Sequence, residues 1–150
     1  MTSRRMQFGV LLAVCSCLIL PACRKEGAEG GKVGGGQQSA VTITLSTDNN
    51  GNCVQSQGGA TVTNATVYYD QSVTWCAVDQ SGNKLAFDLQ FAQGASPFAQ
   101  NQFTATAGNC SSPSGTPTNA MERIYPYQQI TINGKQCGVG SDGMHIKPGT

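Results

Sequence analysis

One short run of residues constrains the fold more than any other feature of this chain. Residues 85–91, LAFDLQF, alternate strictly between large apolar side chains and small or polar ones. Because successive side chains of a β-strand point to opposite faces, this run predicts a strand with one buried face and one wetter face. The run VTITL at residues 41–45 has the same period of two. No stretch has a convincing helical period, although residues 97–101 could form one short helical turn.

Turn-forming residues separate several further short runs that favour strands. These runs cover residues 60–63, 66–69, 73–78, 102–105, 124–132, 136–139 and 144–147. The pair Asn133 and Gly134 is a strong signal for a hairpin turn. About seven to nine short strands over roughly 110 residues predict an all-β fold, a Greek-key β-sandwich. Trp75 is the expected anchor of its core.

A change of phase interrupts the longest of these predicted strands. Tyr125 and Tyr127 have odd numbers, whereas Ile130 and Ile132 have even numbers. The two pairs can share one face of the strand only if an extra residue is inserted between them. The sequence therefore predicts a β-bulge or a break near Gln128.

The first 22 residues have the pattern of an export signal. Arg4 and Arg5 precede an uncharged apolar run at residues 10–20, which is shorter than the roughly 20 residues of a membrane-spanning helix. The run ends in Leu-Pro-Ala-Cys at residues 20–23, which resembles the signal of bacterial lipoproteins. That resemblance implies lipidation of Cys23 and a location at the bacterial cell envelope, lipid-anchored on the periplasmic or outer-membrane side. The arginine pair also leaves twin-arginine export open.

A glycine-rich segment separates Cys23 from the predicted domain. Residues 24–39, RKEGAEGGKVGGGQQS, have no aromatic side chain and too little apolar surface to form a core. We therefore expect residues 1–22 to be a signal peptide and residues 23–39 to be a lipidated cysteine followed by a flexible tether. Residues 40–150 would then form one β-sandwich domain.

The composition argues against two kinds of ligand. Charged residues make up 11% of the chain and the net charge is +1, whereas a nucleic-acid-binding surface needs a basic patch. The segment DNNGN at residues 48–52 lacks the terminal glutamate of a calcium loop, so it is predicted to be a turn. We therefore expect neither a nucleic acid nor calcium to be the partner.

Four cysteines lie in the predicted domain: Cys53, Cys76, Cys110 and Cys137. An even number of cysteines in an exported domain indicates two disulfides. Zinc sites built from four thiolates usually contain short Cys-x-x-Cys pairs, and this chain has none. The spacing alone leaves all three possible pairings open.

Several segments of the domain resemble the cupredoxin fold. Residues 69–75, YDQSVTW, are similar to the stretch in which a turn leads into Val-Thr-Trp, and the strand at residues 85–91 follows at the expected distance. Residues 125–132, YPYQQITI, resemble the late strand that starts with Tyr-x-Tyr. A loop containing Cys137 and a closing strand from Met144 complete a likeness that covers residues 41–147. The resemblance implies a cupredoxin-like sandwich.

The same resemblance implies a disulfide pairing. In a cupredoxin-like topology the ends of the first and third strands and the late loop lie at one pole of the sandwich. This placement favours bonds from Cys53 to Cys137 and from Cys76 to Cys110. Each bond would close a loop of tens of residues and stabilise the domain by about 3–4 kcal/mol in the chain-entropy model.

The resemblance does not extend to the copper ligands of that family. A type 1 copper site uses two histidines, a cysteine and usually a methionine. Asn-Lys-Leu occupies residues 83–85, where the first histidine would stand, and no histidine follows Cys137 within four residues. Only Cys137, Met144 and His145 remain as candidate metal ligands. His145 alternates with Met144 and Ile146, so it is expected to face solvent.

These observations predict a non-catalytic, lipid-anchored envelope protein with a binding or structural role and no cofactor. Its partners would be the membrane, through the lipid on Cys23, and an unidentified protein or glycan. One alternative is a copper-binding or electron-transfer module with a degenerate site. The other is an immunoglobulin-like carbohydrate-binding or adhesin domain, which an exposed row of Tyr68, Tyr125 and Tyr127 would favour.

Overall fold

The computed structural model describes residues 39–118 and 121–149, which form two β-sheets. The predicted signal peptide, Cys23 and nearly all of the predicted tether lie outside the described residues. The strands are β1 (Ala40–Thr47), β2 (Cys53–Gln57), β3 (Ala60–Val62), β4 (Asn64–Tyr68), β5 (Ser72–Val78), β6 (Lys84–Leu85), β7 (Phe87–Phe91), β8 (Gln102–Ala105), β9 (Arg123–Ile132), β10 (Lys135–Cys137) and β11 (Gly143–Lys147). Within the described residues there is no helix that is long and apolar enough to cross a membrane.

The strand order confirms the prediction of an all-β sandwich. The first sheet has the order β3-β2-β1-β5-β6, and the second has the order β4-β11-β9-β7-β8, with β10 paired to β9. The neighbours β1 and β5 are parallel, as are β4 and β11, and the other pairs are antiparallel. The apolar faces of the two sheets bury one shared core, as expected for a two-layer β fold.

The described residues contain eleven strands rather than seven to nine. One reason is that the alternating run at residues 85–91 changes sheet partway along. Leu85 pairs with β5 of the first sheet, whereas Phe87 pairs with β8 and β9 of the second. The other reason is β2, which the sequence did not indicate because its inward side chains are a cysteine and a glutamine, Cys53 and Gln55. Residues 97–101 form bends instead of a helical turn.

Two local predictions about β9 are confirmed. Gln90 pairs with Gln129 but the next residue, Phe91, pairs with Tyr127, so Gln128 is the extra residue of a bulge. The bulge lets both pairs of apolar side chains in β9 face the core. At the end of β9, Asn133 and Gly134 have φ angles of 50° and 77°, as a two-residue hairpin turn requires, and β10 pairs back onto β9.

Aromatic side chains fill the middle of the core. Trp75 on β5 is completely buried, as predicted, and its ring lies 4.4 Å from that of Phe103 and 5.8 Å from that of Phe98. Phe91 and Tyr127 complete the cluster, with 5.2 Å between their ring centroids. Such pairs stabilise a core beyond the burial of their area, so this cluster joins the two sheets firmly.

Candidate functional site

Two disulfides join the described cysteines in the pairing that the cupredoxin resemblance implied. Cys53 is bonded to Cys137, and Cys76 is bonded to Cys110. Cys53 begins β2 and Cys137 ends β10, at the end of the sandwich where β1, β5 and β9 finish. We call this end the disulfide pole. Two disulfides are compatible with an extracytoplasmic location.

The structure does not assemble the three candidate metal ligands into a site. The sulfur of Cys137 is bonded to Cys53, so it is not a free thiolate. Met144 is completely buried, whereas His145 is half-buried and points to the other face of β11. Residues 39–118 and 121–149 contain no group of three or more histidine, cysteine, aspartate and glutamate side chains suited to a metal. These residues therefore do not fit a type 1 copper site.

Two loops at the disulfide pole have the same construction, Asp-x-x-Gly-Asn. In the first loop the Oδ1 atom of Asp48 accepts hydrogen bonds from the backbone N–H groups of Asn50 and Asn52, at 2.9 and 2.8 Å. The Asn52 side chain donates to the other carboxylate oxygen at 3.1 Å. Gly51 has a φ of 80°, which favours glycine. The segment at residues 48–52 is thus a turn, as predicted.

The second loop repeats these contacts between β5 and β6. Asp79 accepts hydrogen bonds from the N–H groups of Ser81 and Asn83, both at 2.8 Å, and from the Asn83 side chain at 2.9 Å. Hydrogen bonds from Asn52 and Asn83 lower the pKa of Asp48 and Asp79 respectively. Both carboxylates are therefore used to hold their own loops.

A cleft of about 440 Å³ opens beside the first loop. Asp48, Leu85, Ile132 and Lys135 contribute to its walls, and Cys137 lies in its lining. Asp48 is hydrogen-bonded within its loop and Cys137 is in a disulfide, so neither of these two side chains is available as a base or a nucleophile.

The tyrosines that would favour the carbohydrate-binding alternative do not form an exposed row. Tyr125 and Tyr127 are 2% and 4% exposed. Only Tyr68 is on the outer surface, half-buried on β4. The cause is the inward phase of β9 before its bulge, which directs both side chains into the core.

Sequence reasoning missed a buried polar chain that joins the two sheets. The indole N–H of Trp75 donates to the Tyr127 hydroxyl at 3.4 Å, which donates in turn to Oε1 of Gln55 at 3.2 Å. The Gln55 amide N–H group donates to the carbonyl of Gly143 at 2.9 Å and to that of Thr63. Burial raises the pKa of Tyr127, so its hydroxyl keeps its proton. These hydrogen bonds satisfy buried polar groups whose burial without a partner would cost free energy.

Comparisons of this chain with protein-family models, with curated proteins and with solved structures find no match. The geometry of its own residues is therefore the basis for inferring what the protein does.

Proposed function

We propose that this protein is a non-catalytic, lipid-anchored β-sandwich of the bacterial cell envelope with a binding role. The observation that carries the proposal is the Cys53–Cys137 disulfide. It occupies the cysteine that a metal site or a nucleophilic mechanism at the disulfide pole would need. Two disulfides in one small domain also support a working place outside the reducing cytoplasm.

A cupredoxin-like scaffold without the copper site is the fold that we propose for this role. The parallel neighbours β1 and β5 support it, as does the meeting of Cys53 and Cys137 at one pole, which the resemblance implied. The alternation of Met144 and His145 on β11 supports the absence of copper, because neighbouring residues of a strand cannot turn to the same face.

Native mass spectrometry of the mature protein, exported through the chain's own leader and offered copper and zinc, tests the non-metal role. We expect a mass about 4 Da below that of the reduced chain, since each disulfide removes two hydrogens, and no retained metal. One copper held through dilution, together with free thiols, would support the degenerate copper module instead. The variant His145→Gln is the control, because a genuine site using His145 would lose its copper.

Lipid attachment is tested by replacing cysteines near the start of the chain. Cys23 and Cys17 both precede the described residues, and only Cys23 is the cysteine of the Leu-Pro-Ala-Cys segment at residues 20–23. We expect Cys23→Ser to lose incorporated fatty acid and membrane association, whereas Cys17→Ser keeps both. Equal behaviour of the two variants would show that Cys23 is not the lipidated residue.

A further inference from the structure

A second cleft, of about 420 Å³, lies at the end of the sandwich opposite the disulfide pole. The loop at residues 92–101, between β7 and β8, forms one wall, and the start of β9 forms the other. Polar side chains dominate the lining, among them Gln93, Gln100 and Asn101. The volume is in the range of small-molecule sites.

Arg123 is the one charged residue in the lining of this cleft. The carbon at the centre of its guanidinium group lies 4.6 Å from the ring centroid of Tyr125. A guanidinium on an aromatic face is held by the negative face of the ring and keeps its N–H groups free for a ligand. No carboxylate lines the cleft within the part of the chain that the structure describes, so the charge faces an open space.

The Tyr125 ring is a fixed platform for this arginine. Its hydroxyl accepts a hydrogen bond from the N–H of Met121 at 2.7 Å and donates one to the carbonyl of Met121 at 3.1 Å. A tyrosine that bonds back to the backbone a few residues upstream is known from Greek-key sandwiches, where it locks a corner. Because Tyr125 is 2% exposed and its hydroxyl makes two hydrogen bonds to the backbone of Met121, the ring holds the guanidinium in a defined place.

The opposite wall is also ordered before any ligand arrives. The Ser96 hydroxyl donates to the carbonyl of Gln100 and accepts from the N–H of Phe98, the latter at 3.1 Å. Phe98 is buried in the aromatic cluster with its ring 5.8 Å from that of Trp75. The loop is therefore fastened to the core, and binding would cost little ordering entropy.

We propose that this cleft binds a carboxylate-bearing sugar, of the uronic acid class. A guanidinium recognises a carboxylate through two parallel charge-assisted hydrogen bonds. The amides of Gln100 and Asn101 supply donors and acceptors for sugar hydroxyls, and the volume holds one or two sugar rings. The proposal rests on the binding role given above and names its ligand.

Titration of the full chain with glucuronate and with glucose tests the proposal, because glucuronate has a carboxylate where glucose has a hydroxymethyl group. We expect saturable chemical-shift changes at the Arg123 side chain and the loop at residues 92–101 with glucuronate. Affinity for glucose should be at least about tenfold lower, as loss of a charge-assisted pair predicts. Arg123→Gln should remove this preference and Arg123→Lys should keep part of it. Lys84→Gln, which removes an exposed charge at the disulfide pole, is the matched control.

Three outcomes would overturn the proposal. They are an equal response to glucose and glucuronate, chemical-shift changes away from the cleft, and an equal effect of Lys84→Gln and Arg123→Gln. Unchanged fluorescence of Trp75 shows that each variant is folded, because this is the only tryptophan and it is buried. The metal and lipid measurements do not depend on the cleft, so a failure here and a failure of the proposed role are distinguishable.

Discussion

Removal of either disulfide should destabilise the domain by several kcal/mol, with the larger loss for Cys53–Cys137. The two bonds span 84 and 34 residues respectively, and the shorter loop lies inside the longer one. Taken alone, the bonds contribute about 4.6 and about 3.8 kcal/mol at 25 °C in the chain-entropy model. When both bonds are present, each shortens the loop that the other closes. Removing Cys53–Cys137 alone then costs about 4.1 kcal/mol, and removing Cys76–Cys110 alone costs about 3.3 kcal/mol.

Urea unfolding of paired Cys→Ala variants measures these losses. Trp75 is a suitable probe because it is the only tryptophan and is completely buried. Cys53, Cys137 and Cys76 are buried whereas Cys110 is half-buried, so both variants add a packing loss and that of the outer pair is slightly larger. The variant lacking both bonds should lose about 8 kcal/mol, a large part of the usual stability of a domain.

A larger loss from the Cys76–Cys110 bond would refute the entropic reasoning. It would mean that the bond acts mainly by holding the segment after Cys110 against β5 in the native state. There the Ser111 hydroxyl accepts a hydrogen bond from the N–H of Trp75 at 3.0 Å, and Ser114 accepts one from Val73 at 2.9 Å. Ser111→Ala separates the two contributions, because it removes a native contact without changing loop length.

Three further predictions follow from the buried and loop contacts. Tyr127→Phe leaves two buried partners unsatisfied and should cost about 1–3 kcal/mol in urea unfolding, whereas no change would mean that water replaces the hydroxyl. Gly143→Ala places a methyl group 2.7 Å from the backbone carbonyl oxygen of Tyr125 and should cost about 1–3 kcal/mol by the same measurement. The control Gly138→Ala should cost less, because its methyl group would lie 3.2 Å from a side-chain atom, Oδ1 of Asn52. Hydrogen bonds lower the pKa of Asp48 and Asp79 in the folded state. The stability that the two carboxylates provide is therefore present above their unfolded pKa of about 4, and it is lost as the pH falls through the lower folded pKa. Replacing both by asparagine should flatten the acid side of the unfolding curve measured by fluorescence, and an unchanged acid slope would contradict this assignment.

Apolar alternation predicted the strands that bury an apolar face. The predicted strands at residues 41–45 and 102–105 correspond to β1 and β8, and the phase change in β9 located its bulge. Strand β2 was not predicted, because its inward positions include a polar side chain, that of Gln55. The buried glutamine is stabilised by hydrogen bonds to Thr63, Tyr127 and Gly143, of which the last two come from distant parts of the chain.

Apolar alternation did not predict which of the two sheets a strand joins. Residues 85–91 alternate without a break, yet Leu85 belongs to the first sheet and Phe87 to the second. The division depends on where β5 ends and β9 begins to pair, which is a property of the assembled layers. The open cleft has a similar origin, since Gln100 and Arg123 are far apart in sequence and meet only in the fold.

The cysteine pairing shows what a fold-level expectation adds to spacing. Spacing left three pairings open, because loop lengths alone do not state which cysteines meet. A topology that brings the late loop beside the end of the first strand selects Cys53 with Cys137, and the structure has that bond. The same topology could not predict a metal site, because metal binding requires that the ligand side chains point to one place as well as lie near one another.

The two ends of the sandwich differ in a way that bears on the binding role. At the disulfide pole, Asp48 and Asp79 are hydrogen-bonded within their own loops, and Cys137 is in a disulfide. At the other end, β1 begins at Ala40, β9 begins at Arg123, and the guanidinium of Arg123 lies over the Tyr125 ring. The chain enters the domain on the side that carries the open cleft. The proposed lipid on Cys23 would therefore be joined to the domain at the end that carries the proposed sugar site.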